Sequence, residues 1–239
     1  MHAQAATEFV DKAKEWVTNN PELQRRIILC PTFPLLLPLK IELSESGIYM
    51  GAQNCSEHEH GAYTGQVSAQ DLVEIGADFC LVGHSECRTY LNESNEAIGR
   101  KVAQLFNHLL NPIICIGETA QDHALHRTID ALEQQLFPIA RAVKTSKSWP
   151  NVLTIAYEPV WAIGTGTIPK VEDLQKVFDF IKSYTATHIP QIKTFRILYG
   201  GSVDATNAPA LKAIQGLDGF LIGGASLDFQ KFKNIVGLD

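Results

Sequence analysis

The sequence predicts an α/β barrel of repeated strand–helix units, with only seven strands evident where a closed barrel of this kind has eight. Three observations carry that prediction. Short β-branched runs alternate with longer amphipathic stretches from one end of the 239-residue chain to the other. No low-complexity linker or step in composition interrupts them, so residues 1–239 read as a single α/β barrel domain. The chemically unusual residues stand just past the C-terminal ends of the apolar runs, which is where parallel sheets build their sites.

The elements follow in order. The chain opens with a helix over Ala5–Val17, because Phe9, Val10, Ala13, Trp16 and Val17 make one apolar face, and no strand precedes it. Strands are expected at Arg26–Cys30, Ile48–Gln53, Phe79–Val82, Pro112–Ile116, Thr154–Tyr157, Arg196–Tyr199 and Gly219–Ile222, each too short for a helix and bounded by Gly, Pro, Asn or Glu. Between them, Ile98, Val102, Leu105 and Phe106 recur at helical spacing within Glu93–Leu110, and Leu174, Val177, Phe178 and Ile181 do so within Val171–Tyr184. Such faces cover a sheet. An open dinucleotide-binding sheet would need Gly-x-Gly-x-x-Gly after its first strand, whereas the lone Gly164-Thr165-Gly166 follows the Thr154 run with no third glycine in register.

Composition narrows the function. With 20 Lys+Arg against 26 Asp+Glu the net charge is −6, and no basic cluster interleaves with aromatics, so nucleic acid is not an expected partner. The most apolar stretch, Ile27–Ile41, is broken by Pro31, Pro34 and Pro38 and falls short of the about 20 residues a membrane span requires. The N-terminus lacks a charged head and apolar run, and the five cysteines include no CxxC pair, so a cytoplasmic protein with free thiols is expected.

Three constellations carry chemistry. Ala156-Tyr157-Glu158-Pro159-Val160-Trp161-Ala162-Ile163-Gly164-Thr165-Gly166 places a carboxylate at a strand end before an apolar segment closing in Gly-Thr-Gly, the pattern of a base beside a lid that excludes water. Val82-Gly83-His84-Ser85-Glu86 puts a histidine at a strand end, with Ser85 and Glu86 opening the next helix. The helix start disfavours imidazolium, so a neutral ring is expected to polarise a carbonyl while Glu86 orients its neighbours. Cys87 stands where a nucleophile elbow needs glycine, which disqualifies Ser85 as a nucleophile. Tyr199-Gly200-Gly201-Ser202-Val203 and Gly219-Phe220-Leu221-Ile222-Gly223-Gly224-Ala225-Ser226 are Gly-rich turns after the last two strands, suited to phosphate. No metal is expected: Ser56-Glu57-His58-Glu59-His60 and the pair His123 and His126 lack further ligands at a convincing spacing and read as solvated surface.

These strings resemble the triosephosphate isomerase family from the opening helix to the C-terminus. The family's Ala-Tyr-Glu-Pro-Val-Trp-Ala-Ile-Gly-Thr-Gly stands at Ala156–Gly166, its Val-Gly-His-Ser-Glu at Val82–Glu86, its Tyr-Gly-Gly-Ser-Val at Tyr199–Val203 and its Gly-Gly-Ala-Ser-Leu at Gly223–Leu227. The resemblance implies a TIM (β/α)8 barrel that interconverts dihydroxyacetone phosphate and glyceraldehyde 3-phosphate, in glycolysis and gluconeogenesis, with no metal and no organic cofactor. It implies Glu158 as base and His84 as electrophile, with Gly164, Ser202, Gly223 and Gly224 on the substrate phosphate. A carboxylate base, a neutral histidine and a water-excluding lid are the family's well-known arrangement.

Gln53-Asn54-Cys55 and Gly61-Ala62-Tyr63-Thr64-Gly65 resemble the family's long third loop, which inserts into a neighbouring subunit, so a homodimer with Thr64 at the loop tip is implied. Cys87 departs from a usual arginine, which puts a buried ion pair in doubt, and Thr167 departs from a frequent lysine. The family's first strand ends in Asn-x-Lys-Met, and this chain starts at Met1. The expectation is therefore a missing first strand, no substrate-binding asparagine and lysine, and reduced activity. The alternative reading is a noncatalytic dimeric barrel that binds phosphorylated metabolites.

Overall fold

The computed structural model describes residues 1–150 and 152–237; Asn151, Leu238 and Asp239 lie outside the described residues. The seven expected strands form one parallel sheet: β1 (Ile28–Leu29), β2 (Tyr49–Ala52), β3 (Phe79–Val82), β4 (Asn111–Ile116), β5 (Val152–Tyr157), β6 (Thr194–Tyr199) and β7 (Gly219–Phe220). They are laid side by side in sequence order, the order of a barrel rather than of a doubly wound sheet. Among the described residues β1 and β7 are its two edges, each pairing on one side only.

Ten helices connect and cover the strands among the described residues: α1 (Ala3–Asn19), α2 (Leu36–Glu42), α3 (Ala69–Glu74), α4 (Ser85–Tyr90), α5 (Asn95–Asn107), α6 (Ala120–Ala124), α7 (Thr128–Thr145), α8 (Val171–His188), α9 (Ala208–Lys212) and α10 (Phe229–Val236). Their starts are written in the sequence. Ser68 with Asp71 and Thr119 with Asp122 close capping boxes on α3 and α6, while Ser94 and Asp228 cap α5 and α10. The apolar face of α1 packs on the other end of the chain, with Phe9 and Trp16 meeting Phe229 and Phe232 at ring-centroid separations of 5.4–6.3 Å. None of these helices is long and apolar enough to cross a membrane.

Strand residues alternate between two cores, as the two-residue period of a pleated strand requires. One set, including Cys80, Val82, Ile114, Ile116, Ile155, Tyr157, Ile197 and Tyr199, joins the large cluster shared with the helices. The other set faces the barrel interior: Leu81, Ile113, Cys115 and Ala156 are buried there, and Ile28, Cys30, Phe79, Leu198 and Leu221 pack around them only partly buried. All five cysteines are free thiols.

Candidate active site

Glu158 follows β5 directly and is 2 % exposed. Its backbone N–H donates to the Ile116 carbonyl at 2.7 Å, continuing the β4–β5 ladder one residue past the strand. Two glycines make room for it. A Cβ at Gly117 would lie 1.7 Å from the Glu158 carbonyl oxygen, and one at Gly200 would lie 2.8 Å from Glu158 Cγ, so the ends of β4 and β6 close on this residue only because both positions lack side chains. Gln135 of α7 secures the Gly117 side, accepting from its N–H at 2.8 Å and donating to its carbonyl at 2.9 Å.

His84 sits at the N-cap of α4. Its Nε2 is 3.0 Å from Glu158 Oε1, while the Ser85 N–H donates to Glu158 Oε2 at 3.0 Å, so both carboxylate oxygens are held by the turn after β3. The Glu86 N–H donates to His84 Nδ1 at 3.3 Å. An accepting Nδ1 assigns the ring proton to Nε2, the neutral tautomer that donates towards Glu158. The carboxylate pulls the other way: its hydrogen bond raises the His84 pKa from the ordinary histidine value, with burial opposing. The amide at the helix start favours the neutral ring that the sequence leads one to expect, against a carboxylate that favours the charged form. Arg88 braces the turn, its Nε donating to the Gly83 carbonyl at 2.7 Å, Nη2 to the Cys115 carbonyl at 3.0 Å and Nη1 to Asn95 at 2.7 Å. Glu86 meets His84 through its backbone; its side chain is 75 % exposed, with Oε2 3.8 Å from Nδ1.

The segment after Glu158 runs through a 3-10 turn, Val160–Ala162, and then stands in solvent from Ile163 to Ile168. Gly164 and Gly166 adopt left-handed φ of 70° and 73° with open space around them. Ser202, after β6, donates its hydroxyl to the Ala162 carbonyl at 3.0 Å and so touches the base of this segment. Gly223 and Gly224 follow β7 in an exposed turn that opens the 3-10 helix Gly224–Leu227. The structure therefore brings Glu158, His84 and the Glu86 amide together, joins Ser202 to the segment after Glu158, and leaves Gly164, Gly223 and Gly224 exposed.

Away from this centre, Thr64 lies in an exposed loop in which Tyr63 stacks on His58 at 3.7 Å. Glu57 in that loop pairs with Arg100. Among the described residues no group of three His, Cys, Asp or Glu is placed to hold a metal. The doubt raised by Cys87 is resolved by another cation: Lys101 pairs with Glu93, their side chains 8 % and 9 % exposed, and Asn54 bridges them by donating to Glu93 at 2.7 Å and accepting from Lys101 at 2.9 Å. Glu93 Oε2, the oxygen those partners do not reach, is buried without a hydrogen bond.

Sequence reasoning missed Glu118 and the ring against which His123 stacks. Glu118 is 1 % exposed and accepts from the Tyr157 hydroxyl at 3.0 Å and from Trp161 Nε1 at 2.7 Å. Its signal was its position two residues past β4, where site residues collect. His123 is on the surface as expected, 49 % exposed, and one face of its ring lies on Trp161.

A sequence model of the family described as triosephosphate isomerase matches residues 1–238. The triosephosphate isomerase of Magnetococcus marinus is 36% identical over 98% of this chain and 92% of its own length. That of Hahella chejuensis is 40% identical over 88% of this chain and 84% of its own length. The cytosolic triosephosphate isomerase of Stellaria longipes is 41% identical over 88% of this chain and 81% of its own length. The chain belongs to the triosephosphate isomerase family.

Proposed function

We propose that this chain interconverts dihydroxyacetone phosphate and glyceraldehyde 3-phosphate through an enediolate, with Glu158 as base and His84 as electrophile. The observation that carries the reading is a buried carboxylate whose two oxygens are each held at 3.0 Å by the His84 turn, followed along the chain by a segment that stands in solvent. Glu158 removes a proton from the carbon next to the carbonyl, and the C–H electron pair becomes the new C=C bond. The carbonyl oxygen takes up the displaced charge and accepts from His84 Nε2–H, which then shuttles a proton between the two oxygens. Returning the proton to the neighbouring carbon completes an isomerisation with no change in formula and no need of a metal or organic cofactor. As Glu158 turns to the substrate its upward pull on His84 goes, and the Glu86 amide at Nδ1 leaves the ring neutral.

The substrate phosphate is taken by the N–H groups of Gly164, Gly223 and Gly224 and by Ser202, whose hydroxyl gives up Ala162 as the lid closes. The Glu86 side chain orients neighbouring groups from the solvent side. Among the described residues no Lys or Arg side chain contacts Glu158 or His84. Relative to a site that adds an ammonium against the enediolate charge, turnover is expected to be lower by roughly two to three decades, at about 1.4 kcal/mol per decade. The chain works as one domain in a cytoplasmic homodimer, its free thiols suited to a reducing compartment and its loop around Thr64 supplying the contact.

The reading is tested by following dihydroxyacetone phosphate in deuterated water by NMR. The chain should exchange a carbon-bound proton of the substrate, and Glu158→Gln should stop the exchange. Exchange by that variant at more than about a tenth of the parent rate would overturn the assignment, since a general base contributes about 10²–10⁴-fold.

A further inference from the structure

No thiol takes part in the proposed reaction, yet two of the five free cysteines meet inside the core. Cys80 stands in β3, in the stretch where Ala52 of β2 is its partner, and Cys55 follows Ala52 by three residues, where the chain leaves the sheet for the loop of Thr64. Both belong to the large cluster shared with the helices, Cys80 at 0 % and Cys55 at 5 % exposure. The Cys80 thiol donates to the Leu81 carbonyl at 3.3 Å and lies within hydrogen-bonding reach of the Cys55 side chain. Sulfur atoms this close meet the first requirement of a disulfide, that no backbone be drawn across the core to join them.

The other three thiols are placed elsewhere. Cys30 and Cys115 belong to the barrel-interior set on the opposite face of the sheet, and Cys87 receives the Asn54 side-chain amide at 3.5 Å. The two members of the pair also differ. Burial, then the neighbouring Cys55, pushes the Cys80 thiol well above its ordinary pKa, with Lys101 opposing, so Cys80 keeps its proton. Cys55 stands at the base of a loop whose residues 59–66 are exposed. Two hydrogen bonds close that base: the Ser56 N–H donates to the Val67 carbonyl at 2.7 Å and the Ser56 hydroxyl to Gln66 at 2.5 Å. Opening them uncovers Cys55 from the solvent side while the ladder of β3 keeps Cys80 in place.

We propose that Cys55 and Cys80 are an oxidation site, a disulfide-forming pair whose oxidant is a small hydroperoxide, with Cys55 reacting first and Cys80 resolving it. In the first step the Cys55 sulfur attacks one peroxide oxygen: an S–O bond forms, the O–O bond breaks, and the departing hydroxide takes the thiol proton as water. In the second the Cys80 sulfur displaces the hydroxyl from the Cys55 sulfenic acid: the S–S bond forms, the S–O bond breaks, and the hydroxyl leaves as water with the Cys80 proton. Two thiols have then given two electrons to one peroxide, and a dithiol reductant reverses the change. The link ties the base of the Thr64 loop to β3, the strand that leads to His84. The test treats the folded, reduced full chain with a modest excess of hydrogen peroxide, alkylates it in denaturant and maps its peptides by mass spectrometry. The expected product has lost two hydrogens, joins the Cys55 peptide to the Cys80 peptide, and leaves Cys30, Cys87 and Cys115 to be alkylated. In Cys80→Ala, Cys55 should be oxidised at the parent rate but stop at a sulfenic acid that a cyclic 1,3-diketone traps. In Cys55→Ala, loss of the Cys80 thiol should slow by at least about tenfold, since a buried protonated thiol is a poor first target. A sulfenic acid trapped at Cys55 of the parent with no link, a link through any other cysteine, or a Cys55 left reduced while the chain stays folded would each overturn the proposal. The parent's own peptide map decides these three outcomes, whether or not either variant folds.

Discussion

The middle of the sheet and its two edges are built differently. β4, β5 and β6 are six residues long, with β5 and β6 paired along their whole length, whereas β1 and β7 are two residues each and pair through two positions. Among the interior side chains Leu81, Ile113, Cys115 and Ala156 on β3 to β5 are buried, whereas Ile28, Cys30 and Leu221 near the edges, together with Phe79 on β3 and Leu198 on β6, are only half-buried. Glu158 and His84, proposed here as base and electrophile, follow β5 and β3, away from both edges, and Gly223 and Gly224 follow the β7 edge. The difference separates two demands. On the proposed reading a base and an electrophile have to be held to a fraction of an ångström before the substrate arrives, and Glu158 and His84 sit where two glycines and a double hydrogen bond leave little slack. Backbone N–H groups that wrap a phosphate can be brought in by closure.

The comparison is broken most directly at its centre. Glu158→Gln should lower turnover by about 10²–10⁴-fold while the thermal unfolding midpoint stays near that of the parent, since the amide keeps the Ser85 contact. A steady-state assay beside a melting curve reads both. Next in size, Lys101→Met leaves Glu93 charged and buried without a cation, and urea unfolding should show a loss of about 3–5 kcal/mol. The contrast between middle and edge is then sharpened by a matched pair. Ile113→Ala, at 2 % exposure on β4, should cost about 2–5 kcal/mol, and the half-buried Ile28→Ala on β1 roughly half of that. Equal losses would show the edge to be as tightly packed as the middle.

The smallest effect is in pH. The His84 pKa is raised in the folded protein by its hydrogen bond to Glu158. A raised pKa means that the folded state binds the proton more tightly than the unfolded chain does. The stabilisation is therefore complete below the ordinary histidine value and is lost as pH rises through the folded one. The stability advantage of the parent over His84→Gln should be larger at about pH 5.5 than at about pH 8; an advantage that grows with pH would reverse the sign and place the ring under the control of the Glu86 amide.

Much of this was legible in the sequence because the signals are local. β-Branched runs bounded by Gly or Pro located all seven strands to within two residues at each end, and Ser85 and Glu86 marked the start of α4. Glu158 and His84 announced themselves by standing at strand ends inside long family strings. What stayed hidden depends on tertiary proximity. Nothing near Cys87 in the chain says that Lys101, fourteen positions on, and Asn54, far upstream, enclose Glu93. His123 is the exposed residue expected from its lack of further ligands, but the ring it stacks on comes from the loop after the next strand, which its own helix does not reveal. The exposure of the Glu86 side chain was likewise unreadable, since helix spacing does not say which groups the barrel mouth leaves in water.

The account turns on the buried carboxylate being the base of an isomerase. The most direct test is the steady-state rate of glyceraldehyde 3-phosphate isomerisation by the 239-residue chain and by Glu158→Gln, purified side by side so that contaminating enzyme appears in both. The account predicts a parent rate at least about a hundredfold above that of the variant. Equal rates in the two preparations, whether high or at background, would contradict it.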